Sequence, residues 1–367
     1  MDNIKRVAHV LTKMDVGGAE TLLMNIYRNM DRSKYQFDFI VHAEDEGYYD
    51  NEIKRLGGRV IKVSAPEKVG VKEYGRQLVQ VLKEYGEYQA VHAHAHFFNG
   101  YILMMAKKVG VKKRVSHSHN SNDNGINRNI KRSLYRTAMR MLILCNATDL
   151  LSCSDKASKE LYGSNSKKVE FIPNCVDFSL FSNTELDLRK ELGIDKNSRI
   201  IGHVGRFTDV KNHKFLINVF EEINKKLENA YLVLVGDGEL KNEVQQLVSE
   251  RGISDKVFFL GIRSDVADIV QNFDLFMFPS KSEGLPLTLV EIQAARVRGI
   301  VADNITRDLL FTEGLITYLP IESTNIWVEE AIKILNSTGS FNKESIKFEN
   351  TDFDISVTVD KLVSIYG

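Results

Sequence analysis

Short β-rich runs alternate with helix-length periodic segments along this chain, and the alternation occurs twice. Residues 6–11, 37–42, 59–63, 90–94, 113–117, 149–153 and 169–172 read as strands, with helical segments between them near 19–30, 72–85, 99–109 and 127–143. The plan resumes with strands at 200–204, 231–235, 257–260, 275–278 and 300–302, and with helices near 212–227, 239–251 and 287–296. Such alternation lays strands parallel and covers both faces of the sheet with helices. The expected class is α/β, with two Rossmann-like, doubly wound parallel sheets. One domain is expected over residues 1–175 and the other over 176–352. A last helix, 353–367, follows the second sheet and is expected to pack back on the first domain.

Ligands of open α/β sheets bind beyond the carboxyl ends of the strands, and two such sheets offer the cleft between them as a site. Polar residues directly after strands are therefore the candidates. Gly17-Gly18 follows the first strand and opens a helix, where backbone N–H groups can meet an anion. After strand 200–204 comes Gly205-Arg206, with Lys211 in the same loop; two cations there suit a diphosphate, although solvated surface cations have the same appearance. Gly236-Asp-Gly238 imitates a dinucleotide fingerprint, but Lys241 stands where its third glycine belongs, so a glycine turn is the better reading.

Two glutamates, Glu283 and Glu291, stand eight positions apart. Gly284 and Pro286 put the first in a loop and leave the second inside the following helix. Carboxylates accept hydrogen bonds from hydroxyls, which points to a sugar or ribose ligand.

Composition narrows the class. No apolar run in the 367 residues approaches the ~20 needed to cross a bilayer. The first residues lack a signal-peptide pattern. The three cysteines, Cys145, Cys153 and Cys175, have no metal-ligand spacing, and the odd count fits a reducing cytoplasm. Net charge is zero but unevenly spread. Residues 1–175 carry 28 Lys and Arg against 19 Asp and Glu, or +9; residues 176–367 carry 21 against 30, or −9. Either the first half faces something anionic or the halves attract each other.

Five of the nine histidines, His92, His94, His96, His117 and His119, lie between 92 and 119. In an extended strand the first three share a face. No carboxylate or cysteine completes a ligand set nearby, so no metal is expected; a histidine closing His117-Ser-His119-Asn120 faces the cleft instead and can donate to a substrate. Arg128, Arg132, Arg136 and Arg140 recur every four residues, with Lys131 beside them. On a helix they form a slowly drifting basic stripe that can rest on anionic lipid, although a solvated helix face is the commoner origin of such a pattern.

Taken in order, Gly17-Gly18, Pro173-Asn-Cys-Val-Asp177, Gly205-Arg206 with Lys211, Gly236-Asp-Gly238-Glu239, Gly261, and Glu283-Gly284 through Glu291 resemble the retaining glycosyltransferases of family 4, which have the GT-B fold. The similarity covers almost the whole chain. It is greatest to bacterial members that build capsule, exopolysaccharide or O-antigen units on a lipid carrier. The resemblance implies an N-terminal acceptor-side domain and a C-terminal domain for a nucleotide-sugar donor, with uridine the base most frequent in the family. It implies that Arg206 and Lys211 neutralise the diphosphate, with Gly17 and Gly18 against the phosphates. Glu291 would hold the ribose, and Glu283, Gly284 and Leu285 the transferred sugar. Gly236 belongs to the same donor loop set, Gly261 and Ile262 would lie by the base, and His119 would be the cleft histidine. It implies no metal, no cofactor and no nucleic-acid partner, and a cytoplasmic enzyme, peripheral on the inner face of the membrane.

One departure stands out. Arg296 and Arg298 replace the glycine and proline usual after this helix. An Arg at positive φ is costly, so a changed helix end or an inactive relative is a competing expectation. A nucleotide-sugar epimerase of the same fold is the other.

Overall fold

The computed structural model describes residues 4–15, 17–119, 130–283, 285–337 and 351–367. The chain divides into two units, residues 1–175 with 352–367, and residues 176–351.

The first unit holds β1 (Lys5–Leu11), β2 (Tyr35–Val41), β3 (Arg59–Lys62), β4 (Tyr88–Ala93), β5 (Lys113–Ser118), β6 (Asp149–Ser152) and β7 (Val169–Phe171). They form one parallel sheet in the order β3-β2-β1-β4-β5-β6-β7. Adjacent strand residues point to opposite faces. Val7 joins a core with Leu22, Leu23 and Ile26 of the helix Gly18–Asn29, whereas Ala8 joins another with Tyr74, Leu78 and Ile102 from the helices Val71–Glu84 and Asn99–Lys108. The final helix, Ile355–Tyr366, adds Ile355, Leu362, Ile365 and Tyr366 to the first of these cores. Asp354, in the Asp352-Phe-Asp354 triplet, caps that helix by accepting from the Ser356 N–H at 3.0 Å.

The second unit holds β8 (Arg199–Val204), β9 (Ala230–Val235), β10 (Val257–Gly261), β11 (Leu275–Phe278), β12 (Gly299–Ala302) and β13 (Ile316–Leu319), all parallel in the order β10-β9-β8-β11-β12-β13. Leu275, Phe276, Met277 and Phe278 are all buried, as expected of a central parallel strand covered on both faces. In each sheet the winding reverses next to the first strand, between β1 and β4 and between β8 and β11. These are the switch points where α/β sheets open a crevice.

The helix Leu287–Ala294 ends on Arg296, which takes φ +53°. The Arg296 N–H donates to Gln293 O at 2.9 Å and the Val297 N–H to Ile292 O at 3.0 Å, the two bonds of a Schellman cap. The changed helix end expected from the sequence is not found. The left-handed cap forms, and Arg carries the steric cost that glycine avoids. Arg298 has its own employment: Nη1 donates to Ser337 Oγ and Nη2 to Ile334 O, both at 2.8 Å, closing the end of the helix Thr324–Asn336.

Candidate functional site

The β8/β11 switch point carries the charged candidates. Residues 205–212 leave β8 and residues 279–283 leave β11, and the two loops are tied together. The Asn212 side-chain amide donates to Pro279 O at 3.1 Å, and the Lys281 N–H donates to Val210 O at 2.8 Å. Lys281 Nζ also meets Asp209 Oδ1 at 2.6 Å. A third loop locks on from β9. Gly236 sits at φ +129°, and a Cβ there would lie 2.2 Å from Gly205 O, so only glycine permits the approach. The Gly236 N–H in turn donates to Gly261 O at 2.8 Å, and the Phe207 N–H donates to Asp237 O at 3.0 Å.

This frame brings Lys211 and Glu283 together. Lys211 Nζ lies 2.7 Å from Glu283 Oε1, with both side chains largely enclosed at 16% and 15% exposure. The ammonium also sits 4.6 Å from the centre of the Phe278 ring. Among the described residues, Glu283 Oε1 is buried and receives no aligned hydrogen bond, so the contact is an ion pair with hydrogen-bonding capacity to spare. His203 and His213 flank this loop. His203 Nδ1 is 2.8 Å from Met277 O. Burial, then His213, holds His203 well below the ordinary imidazole range, and burial, then Lys211, holds His213 at about 4. Lys211 Nζ thus lies over the Phe278 ring, with two neutral imidazoles nearby.

Arg206, on the same loop as Lys211, is exposed and pairs with no acidic side chain among the described residues. The structure does not bring it into contact with Lys211. Glu291 lies in the helix Leu287–Ala294, as its spacing from Pro286 implied; burial alone raises its carboxyl to about 7. Gly261 ends β10, and Ile262 beside it is 83% exposed, an unusual setting for so large an apolar side chain. Leu285 is half-buried, and Gly284 lies outside the described residues. A cavity of about 380 Å³ adjoins the loop, lined by Thr208, Asn212, His213 and Leu240, but it takes in none of Arg206, Lys211, Glu283 and Glu291.

The β1/β4 switch point is different. Gly17 caps the helix Gly18–Asn29 in extended backbone, and space beside Gly18 is open. The Glu20 carboxylate curls back over Gly17, and burial raises its pKa. Next to it the parallel register sets His9 opposite His92. His94 follows β4, His117 lies in β5, and His119 follows β5. His9 Nδ1 is 3.1 Å from His94 Nε2, and His94 Nδ1 is 2.8 Å from His119 Nε2. His92 Nδ1 meets the Tyr366 hydroxyl at 2.8 Å. Burial depresses all five: His9 to about 3, His119 to about 4, and His92, His94 and His117 well below the ordinary value. His96 does not share their face. It turns away at φ +53° into a short 3₁₀ turn and meets Phe97 edge-on. The sequence reading missed His9, which lies 83 residues before His92 and joins it only through the strand order.

The expected basic stripe is corrected by the helix Ile130–Asn146. Four-residue spacing on a 3.6-residue helix drifts about 40° per step, which carries the later arginines off the solvent face. Arg136 pairs with Glu160 at 3.0 Å and lies over Phe97, while Arg140 donates to Glu160 O and Leu161 O. Lys131 and Arg132 are exposed, and Arg128 lies outside the described residues. Leu134, Ala138, Met141 and Cys145, at helical spacing, form an exposed and largely apolar face instead. No helix among the described residues is long and apolar enough to cross a membrane.

Comparison with known proteins agrees with this architecture. Residues 16–180 match the family model "Glycosyltransferase Family 4", and residues 185–316 match "Glycosyl transferases group 1". EpsF of Bacillus subtilis (strain 168), named as a glycosyltransferase, is 37% identical over 99% of this chain and 96% of its own length. A Campylobacter jejuni enzyme is 24% identical over 96% of this chain and 95% of its own; its name describes transfer of N-acetyl-D-galactosamine to a diphospho-undecaprenol-linked glycan. Among solved structures, Anabaena HepE in complex with UDP superposes with a TM-score of 0.74 at 18% identity, covering 98% of this chain and 99% of HepE. Two parallel-sheet units, both family matches and a full-length relationship to EpsF together establish that the chain belongs to glycosyltransferase family 4 and has the GT-B fold.

Proposed function

We propose that this glycosyltransferase moves a sugar, with retention and without a metal, from a UDP-sugar to a lipid-linked glycan in bacterial surface-polysaccharide synthesis. The observation that carries the reading is the Lys211–Glu283 pair at the β8/β11 switch point, with Arg206 exposed on the same loop. The second unit is the donor side and the first the acceptor side. The UDP bound by HepE supports the nucleotide, and the printed activity of the Campylobacter enzyme supports the acceptor class.

The pair is a resting state for the donor site. A diphosphate arriving beside Arg206 draws Lys211 away from Glu283. The released carboxylate then accepts from hydroxyls of the sugar, using capacity that the ion pair leaves unspent. Glu291 holds the ribose, Ile262 and Gly261 lie by the base, and Gly236 and Leu285 line the donor. His119 donates to the transferred sugar. As the bond from the anomeric carbon to phosphate breaks, negative charge grows on the diphosphate and Lys211 and Arg206 stabilise it. The acceptor hydroxyl attacks on the face the phosphate leaves, and the departing phosphate oxygen takes its proton. Glu283 orients the donor and forms no covalent bond.

Docking to an anionic lipid surface is part of the proposal, supported by the exposed Leu134 and Met141 of the helix Ile130–Asn146 with Lys131 and Arg132 beside them. On this reading the enzyme works at the cytoplasmic face, next to a lipid-linked acceptor. Sedimentation with anionic liposomes, lost in Leu134→Glu/Met141→Glu, tests it; failure of the unaltered protein to sediment at low salt ends the docking proposal.

A thermal-shift series of nucleoside diphosphate sugars identifies the donor, because a ligand bound only by the folded state raises the melting point. The chosen donor is then incubated with an undecaprenyl-diphosphate-linked acceptor in chelator, and the anomeric configuration is read by NMR. Stabilisation by UDP-sugars with a retained linkage is expected. Conversion of donor without acceptor, an inverted product, or binding without any transfer would each refute the reading.

A further inference from the structure

We infer that His94, His117 and His119 form a binding site for one divalent transition-metal ion of the zinc class. The three rings come from the carboxyl ends of β4 and β5, and each offers a nitrogen within 4.8 Å of the others. His117 is buried, and among the described residues no well-aligned hydrogen bond reaches either ring nitrogen, although the Ile172 backbone lies beside it; its ring centre is 4.0 Å from that of His119 and 5.7 Å from that of His94. Facing lone pairs repel, so a proton must bridge His94 Nδ1 and His119 Nε2 at 2.8 Å. A zinc-class ion with bonds of about 2.0–2.1 Å spaces tetrahedral nitrogens at roughly 3.3 Å. The pair therefore needs to open by only about 0.5 Å to admit it.

The surroundings fit such an ion. When His94 Nδ1 binds metal, the ring proton moves to Nε2, which lies 3.1 Å from His9 Nδ1 and can donate to it. His9 would thus fill the outer role that a carboxylate, backbone carbonyl or water usually fills for a ligating imidazole. His94 and His119 are only partly buried, which leaves a fourth position for water or an anion. Three imidazoles with an open position select zinc-like ions; calcium and magnesium require oxygen ligands, which this set lacks. The neighbouring trio, His9, His92 and His94, is a poorer site. His92 Nδ1 is engaged by Tyr366, and both His9 and His92 are closed to solvent. Resting on the functional reading above, the ion takes His119 from the sugar, so the site makes transfer zinc-inhibitable.

Chelator-treated full-length protein is titrated with Co²⁺. One ion per chain with the visible absorption of a tetrahedral centre, displaced by one equivalent of Zn²⁺, is expected. His94→Asn and His117→Asn should abolish the band, and His9→Gln should weaken binding by about 10–100-fold. His42→Asn, outside the cluster, should leave the band intact. X-ray absorption on the zinc form of the unaltered protein covers the case in which a variant fails to fold, and a shell of three imidazoles is expected. No stoichiometric band, a band indifferent to His94→Asn and His117→Asn, or a zinc shell without imidazoles would overturn the site. Transfer is then measured with zinc and with zinc plus chelator. Zinc that binds without slowing transfer overturns the inhibitory link alone, and the cobalt readings stand whatever the reaction proves to be.

Discussion

The two switch points share a strand order and have opposite chemistry. At β8/β11, the second unit keeps ionised groups at 15–16% exposure by setting Lys211 against Glu283. At β1/β4, the first unit gathers five imidazoles, three closed to solvent and His94 and His119 partly buried, and burial keeps them neutral. A largely enclosed charge persists where a counter-charge meets it; without one, the group gives up its proton. The sheet decides where a site forms, and the residues beyond the strands decide whether it presents charge or neutral hydrogen-bonding groups.

The widest contrast to test is acid. An imidazole whose folded pKa lies below the unfolded 6.5 contributes stability above pH 6.5 and loses it as pH falls towards the folded value, by up to about 1.4 kcal/mol per pH unit. The first unit has five such rings in one cluster. The second has two, His203 and His213, opposed by Glu291, whose raised carboxyl works the other way: its contribution is full below the unfolded 4.5 and is lost as pH rises through about 7. As pH falls from 6.5 towards 5, amides of β1, β4 and β5 should lose hydrogen-exchange protection before the fluorescence of Trp327, the chain's one tryptophan, responds. Simultaneous loss would remove the distinction between the units.

Next in size is the ion pair. Lys211→Ala should lower kcat/KM by about 10²–10³-fold while the protein stays folded, a loss typical of removing one preorganised charge-stabilising donor. Glu283→Gln should lower turnover and leave UDP affinity nearly intact, measured by calorimetry. A Lys211→Ala enzyme within tenfold of the original would move the chemistry elsewhere.

A smaller effect concerns how the second unit holds its loops. Gly236→Ala sets a methyl against Gly205 O and should cost about 1–3 kcal/mol in denaturant melts, with donor binding weakened in parallel. The smallest reverses the helix-end departure. Arg296→Gly relieves a left-handed residue and should stabilise the protein by about 1 kcal/mol, with transfer unchanged. Gain of activity on that change would show that Arg296 had been limiting the site.

Most of the sheet was legible because buried parallel strands are continuous apolar runs. Leu275–Phe278 is such a run, and the reading places it correctly. β13 escaped it although Leu315-Ile-Thr-Tyr-Leu319 is rich in strand-forming residues; all four residues of Ile316–Leu319 are half-buried at the sheet edge. The helix Thr324–Asn336 also went unread, although Trp327, Val328, Ala331, Ile334 and Leu335 repeat at helical spacing. In the candidate site, the positions of Glu283 and Glu291 relative to their helix could be read from Gly284 and Pro286. The partnership of Lys211 with Glu283 could not, because the two residues are 72 apart in sequence and meet only through β8 lying beside β11. His9 was hidden for the same reason. The fate of Arg136 and Arg140 turned on which helix face meets Glu160, a packing fact that spacing alone leaves open.

The helix Ile355–Tyr366 has a consequence for how the molecule is made. It is synthesised only after the whole second unit, yet Lys5 Nζ reaches Gly367 O, Gln89 reaches Tyr366 O, and the Tyr366 ring fills the core beside Phe37. At 5–20 residues per second, the nascent first unit waits roughly 10–40 s for its final piece. The portion synthesised first thus stays open until the second unit has been made, and truncation before Ile355 would leave the amino-terminal core without its closing helix.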